Sequence, residues 1–257
     1  MKRNQIKNGG ITIGTFVKTD SPHIVEVLGT TDLDFVVIDA EHAPFDRSSI
    51  DRMMIAGRAA DIPVIVRIPD MSAATIGSVL DMGAAGILVP HVDSAEQARE
   101  VVSRASYRGG SRGYSGSPRA SGYGTLGMSA ALKAGEGTVI LCQIESPQAV
   151  DCAAEIADVP GVDSLFIGRA DLALAMGVED IRSEVVSKAC ARIVRVGRER
   201  RKLISMFVPH AAEAIQFAAQ GVSCFVVSSD QSLMRNAAQE IADADKSPLR
   251  ASNQLSA

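Results

Sequence analysis

Two carboxylates and an imidazole stand directly behind an apolar run in Phe35-Val36-Val37-Ile38-Asp39-Ala40-Glu41-His42-Ala43-Pro44. Ionisable groups at the end of a buried strand are costly unless they are paired or open to a cleft, so this stretch marks a candidate site. The same grammar recurs. Arg67 ends one apolar run, Pro90 another, Gln143 and Glu145 a third, and Gly168-Arg169-Ala170-Asp171 closes a fourth, with Asp230 behind the last. Glu145 and Asp171 suit a hard divalent cation, which takes oxygen ligands and keeps open positions for water or substrate; both would equally suit helix caps. His42 suits general acid–base work if a carboxylate such as Asp39 fixes its tautomer, and the plain alternative is a polar loop residue. Arg67 stays charged and needs an anionic or carbonyl partner, either on a substrate or in an ion pair with Asp39 or Glu41.

These groups work together only if the strand ends meet. Apolar, β-branched runs fall near residues 11–17, 34–39, 63–68, 86–90, 138–144, 162–168, 203–208 and 223–228. Helical stretches follow near 21–29, 46–60, 72–82, 94–105, 147–157, 182–201, 211–220 and 231–242, with Asp46 and Pro147 as helix-start signals. Eight strand–helix repeats without a composition break predict one α/β domain, a single (β/α)8 TIM barrel over about residues 11–243. An open doubly wound sheet is less suited, since no Gly-x-Gly-x-x-Gly follows the first strand. A barrel gathers its strand ends on one rim, where such folds place their sites. The Gly-, Ser- and Arg-rich stretch 107–127 breaks the rhythm and reads as a substrate loop, and 244–257 as a polar tail.

The 257 residues, 46% hydrophobic, can bury a large core, while a net charge of −4, 4% aromatic residues and no Trp argue against nucleic acid. No 18-residue apolar run is present to span a membrane, and the basic start lacks a signal peptide's apolar region. Cys142, Cys152, Cys190 and Cys224 form no Cys-x-x-Cys pair and read as free, mostly buried thiols. A cytoplasmic protein is expected. His23, His91 and His210 read as surface or cap residues. Asp81 lies near a helix end, where the dipole disfavours an anion, and calls for a cation or a neighbouring subunit.

The segments Ile38-Asp39-Ala40-Glu41-His42-Ala43-Pro44, Val66-Arg67, Leu88-Val89-Pro90, Gln143-Ile144-Glu145 and Phe166-Ile167-Gly168-Arg169-Ala170-Asp171-Leu172 follow in this order. Together they resemble the class II, metal-dependent 2-oxo acid aldolases of the 4-hydroxy-2-oxoheptanedioate aldolase family, over about residues 12–233. The resemblance implies a divalent ion (Mg2+, Mn2+ or Co2+) on Glu145 and Asp171, chelated by the carboxylate and keto oxygens of pyruvate or another 2-oxo acid. It implies that Gln143 lies beside this acid and that backbone amides of Gly168, Arg169, Ala170 and Asp171 hold its carboxylate. His42, paired with Asp39, would act as base with a metal-bound water, Arg67 would stabilise the enolate oxygen, and Asp81 would reach a neighbouring subunit's site. Homohexamers with exchanged C-terminal helices are also implied, with 231–242 as the segment available.

The implied reaction is aldol cleavage of a 4-hydroxy-2-oxo acid to pyruvate, or a related 2-oxo acid, plus an aldehyde, and its reverse. A citrate-synthase-like or other enolate lyase of the same superfamily, acting on oxaloacetate or a CoA ester, is the alternative. Arg169, where many family members carry proline, and Arg108, Arg112 and Arg119 keep it in view, with an outward-pointing Arg169 as the plain alternative. A non-catalytic metabolite-binding barrel would not need Asp39, His42, Arg67, Glu145 and Asp171 together.

Overall fold

Short, mostly buried strands build the centre of the molecule, as expected where a sheet is covered on both faces. In the computed structural model, which describes Ile6 and residues 10–244, these are β1 (Thr12–Val17), β2 (Phe35–Asp39), β3 (Val64–Arg67), β4 (Gly86–Val89), β5 (Val139–Ile144), β6 (Ser164–Ile167), β7 (Leu203–Val208) and β8 (Cys224–Ser229). All neighbours pair parallel, in sequence order, and β8 closes on β1. The expected (β/α)8 barrel is therefore observed. The tail at 245–257 and most of the basic N-terminal segment lie outside the described residues.

Alternate residues of each strand serve two cores. Phe16, Phe35, Leu88, Leu141 and Phe166 fill the barrel with Ile6, while Val36, Ile38, Val66, Ile87 and Leu165 pack outward among the helices. Gly86 allows close strand approach, since a Cβ there would lie 2.4 Å from the Val139 carbonyl.

The returning helices are α1 (Pro22–Gly29), α2 (Arg47–Ala59), α3 (Ala73–Asp81), α4 (Ala95–Ala105), α5 (Met128–Gly135), α6 (Pro147–Asp151), α7 (Ala153–Ala157), α8 (Arg169–Ala175), α9 (Glu184–Arg200), α10 (Ala211–Ala218) and α11 (Asp230–Ala244). Asp46 caps α2 in a reciprocal box with Ser49, and Ser72, Ser94 and Ser146 cap α3, α4 and α6. The helix expected over 147–157 is split at Cys152, the helix for which Asp171 is a candidate cap begins earlier, behind Gly168, and α5 and a 3-10 turn at Arg119–Gly124 come in addition. Each is short and lacks a full apolar period, so its local signal is weak.

The 107–127 stretch connects the end of α4 to α5 and the start of β5. It therefore lies on the face opposite the strand C-termini. No helix among the described residues is long and apolar enough to cross a membrane.

Candidate active site

The register of β2 and β3 sets Asp39 beside Arg67. Arg67 donates from Nε to Asp39 Oδ1 at 2.9 Å and from Nη2 to Oδ2 at 2.7 Å. Its guanidinium lies 4.7 Å over the Phe16 ring, on the apolar floor of the barrel. Lys18, at the end of β1, brings its Nζ to 2.9 Å from Asp39 Oδ2. Burial pushes the Asp39 carboxyl up, but hydrogen bonds and charge from Arg67, the Lys18 ammonium and the His42 amide together hold it down at about 2.

Asp39 does not orient the His42 imidazole. It accepts from the His42 backbone N–H at 3.1 Å, because its carboxylate is already committed to Arg67 and closes the turn after β2. The imidazole points to the rim, 54% exposed, with Nε2 3.7 Å from Glu41 Oε2. Glu41 also meets Arg67 Nε at 3.3 Å. His91 lies at the surface as expected, its side chain 64% exposed, yet it also meets the site carboxylates. Its backbone N–H donates to Glu145 Oε1 at 2.7 Å, Nδ1 is 2.9 Å from the same oxygen, and Nε2 is 3.4 Å from Glu41 Oε1. His91 adopts a φ of 55°, the left-handed region that a non-glycine residue enters rarely and at some cost in strain. Arg67, Glu41, His91 and Glu145 thus form one continuous chain of polar contacts across the ends of β2, β3, β4 and β5.

Glu145 is 3% exposed. Burial raises its carboxyl above the usual range, opposed by the His91 amide and imidazole and by Gln143, while the Asp171 charge raises it further. Gln143 Nε2 donates to Glu145 Oε2. Gln143 Oε1 and Glu41 Oε2 are buried without a hydrogen-bond partner. Gly168 closes the wall; a Cβ there would stand 2.8 Å from Glu145 Oε2 and 3.0 Å from Gln143 Nε2. The first turn of α8 can thus press against Glu145 only because position 168 has no side chain. Asp171 lies in that turn, after the cap position that Gly168 occupies.

A buried carboxylate with a second one acting on it, beside the orphaned Gln143 oxygen, is an oxygen donor set that fits a hard divalent cation. Among the described residues no group of three or more His, Cys, Asp or Glu forms a protein-only metal cage. Two carboxylates leaving positions for substrate match a site that binds its cation together with a ligand.

Two expected site residues lie elsewhere. Asp81 ends α3 on the opposite face, where Arg112 Nη2 donates to it at 2.8 Å; the cation that its helix-end position called for comes from the same chain. Arg112 stacks 4.2 Å from the Tyr107 ring, and Arg119 is held by Asp51 and the Met82 carbonyl, both at 2.7 Å. A cavity of about 380 Å³ on that face, lined by Tyr107, Arg112 and Arg119, is remote from Glu145. The Arg169 side chain turns outward, away from the carboxylate site, and donates to Glu213 at 2.8 and 3.0 Å. Only its backbone borders the site. Strand order could not reveal Lys18, Glu213 or the role of His91, since none forms a motif with its sequence neighbours.

Residues 12–237 match the family model described as HpcH/HpaI aldolase/citrate lyase. A 5-keto-4-deoxy-D-glucarate aldolase of Shigella dysenteriae serotype 1 is 34% identical over 238 residues, covering 92% of this chain and 93% of that protein. A solved HpcH/HpaI aldolase/citrate lyase family protein from Burkholderia cenocepacia superposes with a TM-score of 0.90 at 29% identity, covering 95% and 98% of the two chains. The citrate synthase SbnG superposes with a TM-score of 0.84 at 27% identity, covering 95% and 97%. The chain belongs to the HpcH/HpaI aldolase/citrate lyase family, and it is an enzyme of carbon–carbon bond cleavage and formation.

Proposed function

We propose that this enzyme cleaves a 4-hydroxy-2-oxo acid to pyruvate, or a related 2-oxo acid, and an aldehyde, and runs the reverse addition, with a divalent cation on Glu145 and Asp171. The observation that carries this reading is the contact chain from the Arg67 guanidinium through Glu41 and His91 to buried Glu145. It places a fixed positive charge and a buried carboxylate on one rim. Mg2+ and Mn2+ suit these hard oxygen donors, and Co2+ is the third candidate.

A cation bound there would act as a Lewis acid on the 2-oxo group and support the enolate left by bond cleavage. The chain's own residues supply the rest. Arg67 commits Nε and Nη2 to Asp39, which leaves Nη1 to donate to the developing enolate oxygen. Gln143 lies beside the 2-oxo acid, and the backbone N–H groups of Arg169, Ala170 and Asp171, in the first turn of α8, face its carboxylate, while the Gly168 N–H, expected to join them, is spent on the Ile144 carbonyl at 3.1 Å. His42, exposed at the rim, holds the proton that leaves the 4-hydroxyl in cleavage and returns it in synthesis. Asp39 serves by fixing Arg67 and the turn that carries His42.

The citrate-forming alternative leaned on Arg169 as an extra cation for a polyanionic substrate. The outward turn of Arg169 onto Glu213 removes that support. The commitment of Arg112 and Arg119 to Asp81 and Asp51 weakens the rest. Acceptor choice by residues 107–127, or a contribution of Asp81, would have to be made in a neighbouring subunit's site. The exposed apolar residues of α11 suit a homo-oligomer, a hexamer by family resemblance, and four free cysteines suit the cytoplasm.

The test is loss of the pyruvate methyl proton signal in D2O with Mg2+ or Mn2+, against an EDTA-treated control and a Glu145→Ala variant. Exchange that needs both the ion and Glu145 is expected. A folded, metal-supplemented wild type that exchanges nothing would remove pyruvate as the donor, and exchange undiminished in Glu145→Ala would remove the metal assignment.

A further inference from the structure

Arg169 begins α8, a helix of seven residues whose cap, Gly168, offers no side-chain hydrogen bond. So short a helix has little stability of its own. Yet its first turn must hold position closely, since Gly168 leaves no slack against Glu145 and Gln143. The anchor comes from outside the barrel. The Arg169 guanidinium, buried behind the turn, grips both oxygens of Glu213 at 2.8 and 3.0 Å. It also donates to the Phe207 carbonyl at 3.3 Å and lies 4.9 Å from the Phe217 ring. Three elements, α8, β7 and α10, are thereby tied at one fork.

Resting on the reading that this turn carries a metal ligand and the 2-oxo acid's carboxylate site, we propose that Arg169 and Glu213 are positioning residues for the active site. They clamp the first turn of α8 from behind, so that Asp171 and the Arg169–Asp171 amides stay aligned with Glu145.

Three features favour this over a role in stability alone. A buried ion pair adds little stability compared with an apolar pair of equal volume, so its advantage is geometric. This pair is imperfect as a stabiliser, because Arg169 Nε is buried without a partner. Packing does not fix the side chain unaided either. A cavity of about 350 Å³, lined by Arg169, Glu213, Arg182, Cys190 and His210, opens beside it and would let an unpaired arginine shift. Glu213 is ionised for the task, held below the ordinary range by hydrogen bonds from Arg169 against the opposing effect of burial.

The decisive variant is Arg169→Met/Glu213→Met, which keeps volume and removes the fork. It should melt close to the wild type. It should bind Mn2+, measured by electron paramagnetic resonance of the free ion, about tenfold more weakly, as loss of groups that orient metal ligands commonly does. KM for pyruvate in the exchange assay should rise by a similar factor, with kcat changed far less. Arg169→Pro/Glu213→Met should recover Mn2+ affinity, because proline at the first helical position presets the backbone of the turn. Wild-type Mn2+ affinity and KM in the double methionine variant would overturn the proposal. Should that variant fail to fold, Arg169→Lys, which keeps the charge and loses the fork, decides by the same two readouts. A wild type that binds Mn2+ but exchanges no pyruvate protons would sink the reaction reading alone, and the Mn2+ comparison would still judge the clamp. A wild type that binds no Mn2+ would overturn both.

Discussion

Asp39 and Arg67 are register partners on adjacent strands, and one guanidinium takes both oxygens of the carboxylate. The pair is therefore part of the rim's framework as well as its chemistry. Removing one member of a buried pair costs about 3–5 kcal/mol, so Asp39→Ala should lower the urea midpoint markedly. Arg67→Ala should lose stability too, and kcat for pyruvate proton exchange should fall about 10²–10³-fold, as when a donor to a developing oxyanion is removed. An unchanged urea midpoint in both variants would show that the pair contributes nothing to folding.

The same pair gives the stability a defined acid limb. The Asp39 carboxyl sits at about 2 in the fold against 3.8 as its ordinary value. A depressed folded value stabilises above the unfolded one, and that contribution fades as pH falls from about 4 towards 2, in all about 2 kcal/mol. Urea midpoints of wild type and Asp39→Asn across pH 2–6 check this. Wild type should lose stability faster in the acid range, whereas parallel curves would rule out a depressed Asp39.

His91 contacts Glu145 through both its backbone N–H and Nδ1. His91→Asn keeps a residue that tolerates the left-handed backbone and removes only the imidazole. Mn2+ affinity or exchange activity should drop about tenfold or more, as for other groups that orient metal ligands. Full affinity and activity in His91→Asn would show that the backbone contact suffices.

The barrel was legible because its evidence is periodic: buried β-branched runs, each closed by polar residues, spaced for a helix between them. The rim followed from topology, which is why Asp39, His42, Arg67, Gln143, Glu145 and Gly168–Asp171 were found from residues far apart in sequence. What stayed hidden depends on side-chain direction. Arg169 and Asp171 are two residues apart in one short helix, yet the first reaches Glu213 behind the turn while the charge of the second acts on Glu145. Lys18 looks like any lysine after a strand until β1 pairs with β2 and its Nζ meets Asp39. Helix direction placed Asp81 and the 107–127 loop on the far face, a consequence that motif order alone does not display.

The cysteines offer a check on packing. Burial pushes the Cys142 thiol up to about 12 and Cys190 to about 11, and Cys224 also upward, while Cys152 is half-buried. Thiolate is the reactive form, so native protein should react with Ellman's reagent quickly at Cys152 and slowly at the other three. Unfolding in guanidinium should release all four. Several fast thiols in the native state would mean that the β5, α9 or β8 packing opens in solution.

α11 leads to the last prediction. Asp230 fixes its start by accepting from the Lys18 and Thr19 amides at 2.8 and 3.1 Å, but beyond that turn the helix leaves the barrel. Leu233, Met234 and Ile241 are 44%, 62% and 65% exposed. Positions 234 and 241 are seven residues apart and 233 and 241 eight, so all three share one face of the helix. An exposed apolar helix face of this kind suits a contact with another chain. A second copy is the natural partner, as the family resemblance to homo-oligomers also implies. Light scattering should therefore give the wild type a mass that is a multiple of 27.0 kDa. Leu233→Glu/Ile241→Glu should shift that mass toward the monomer while leaving the barrel's circular dichroism in place. A wild type that runs as a monomer at micromolar concentration would discard both the helix contact and any role for Asp81 in a neighbour's site.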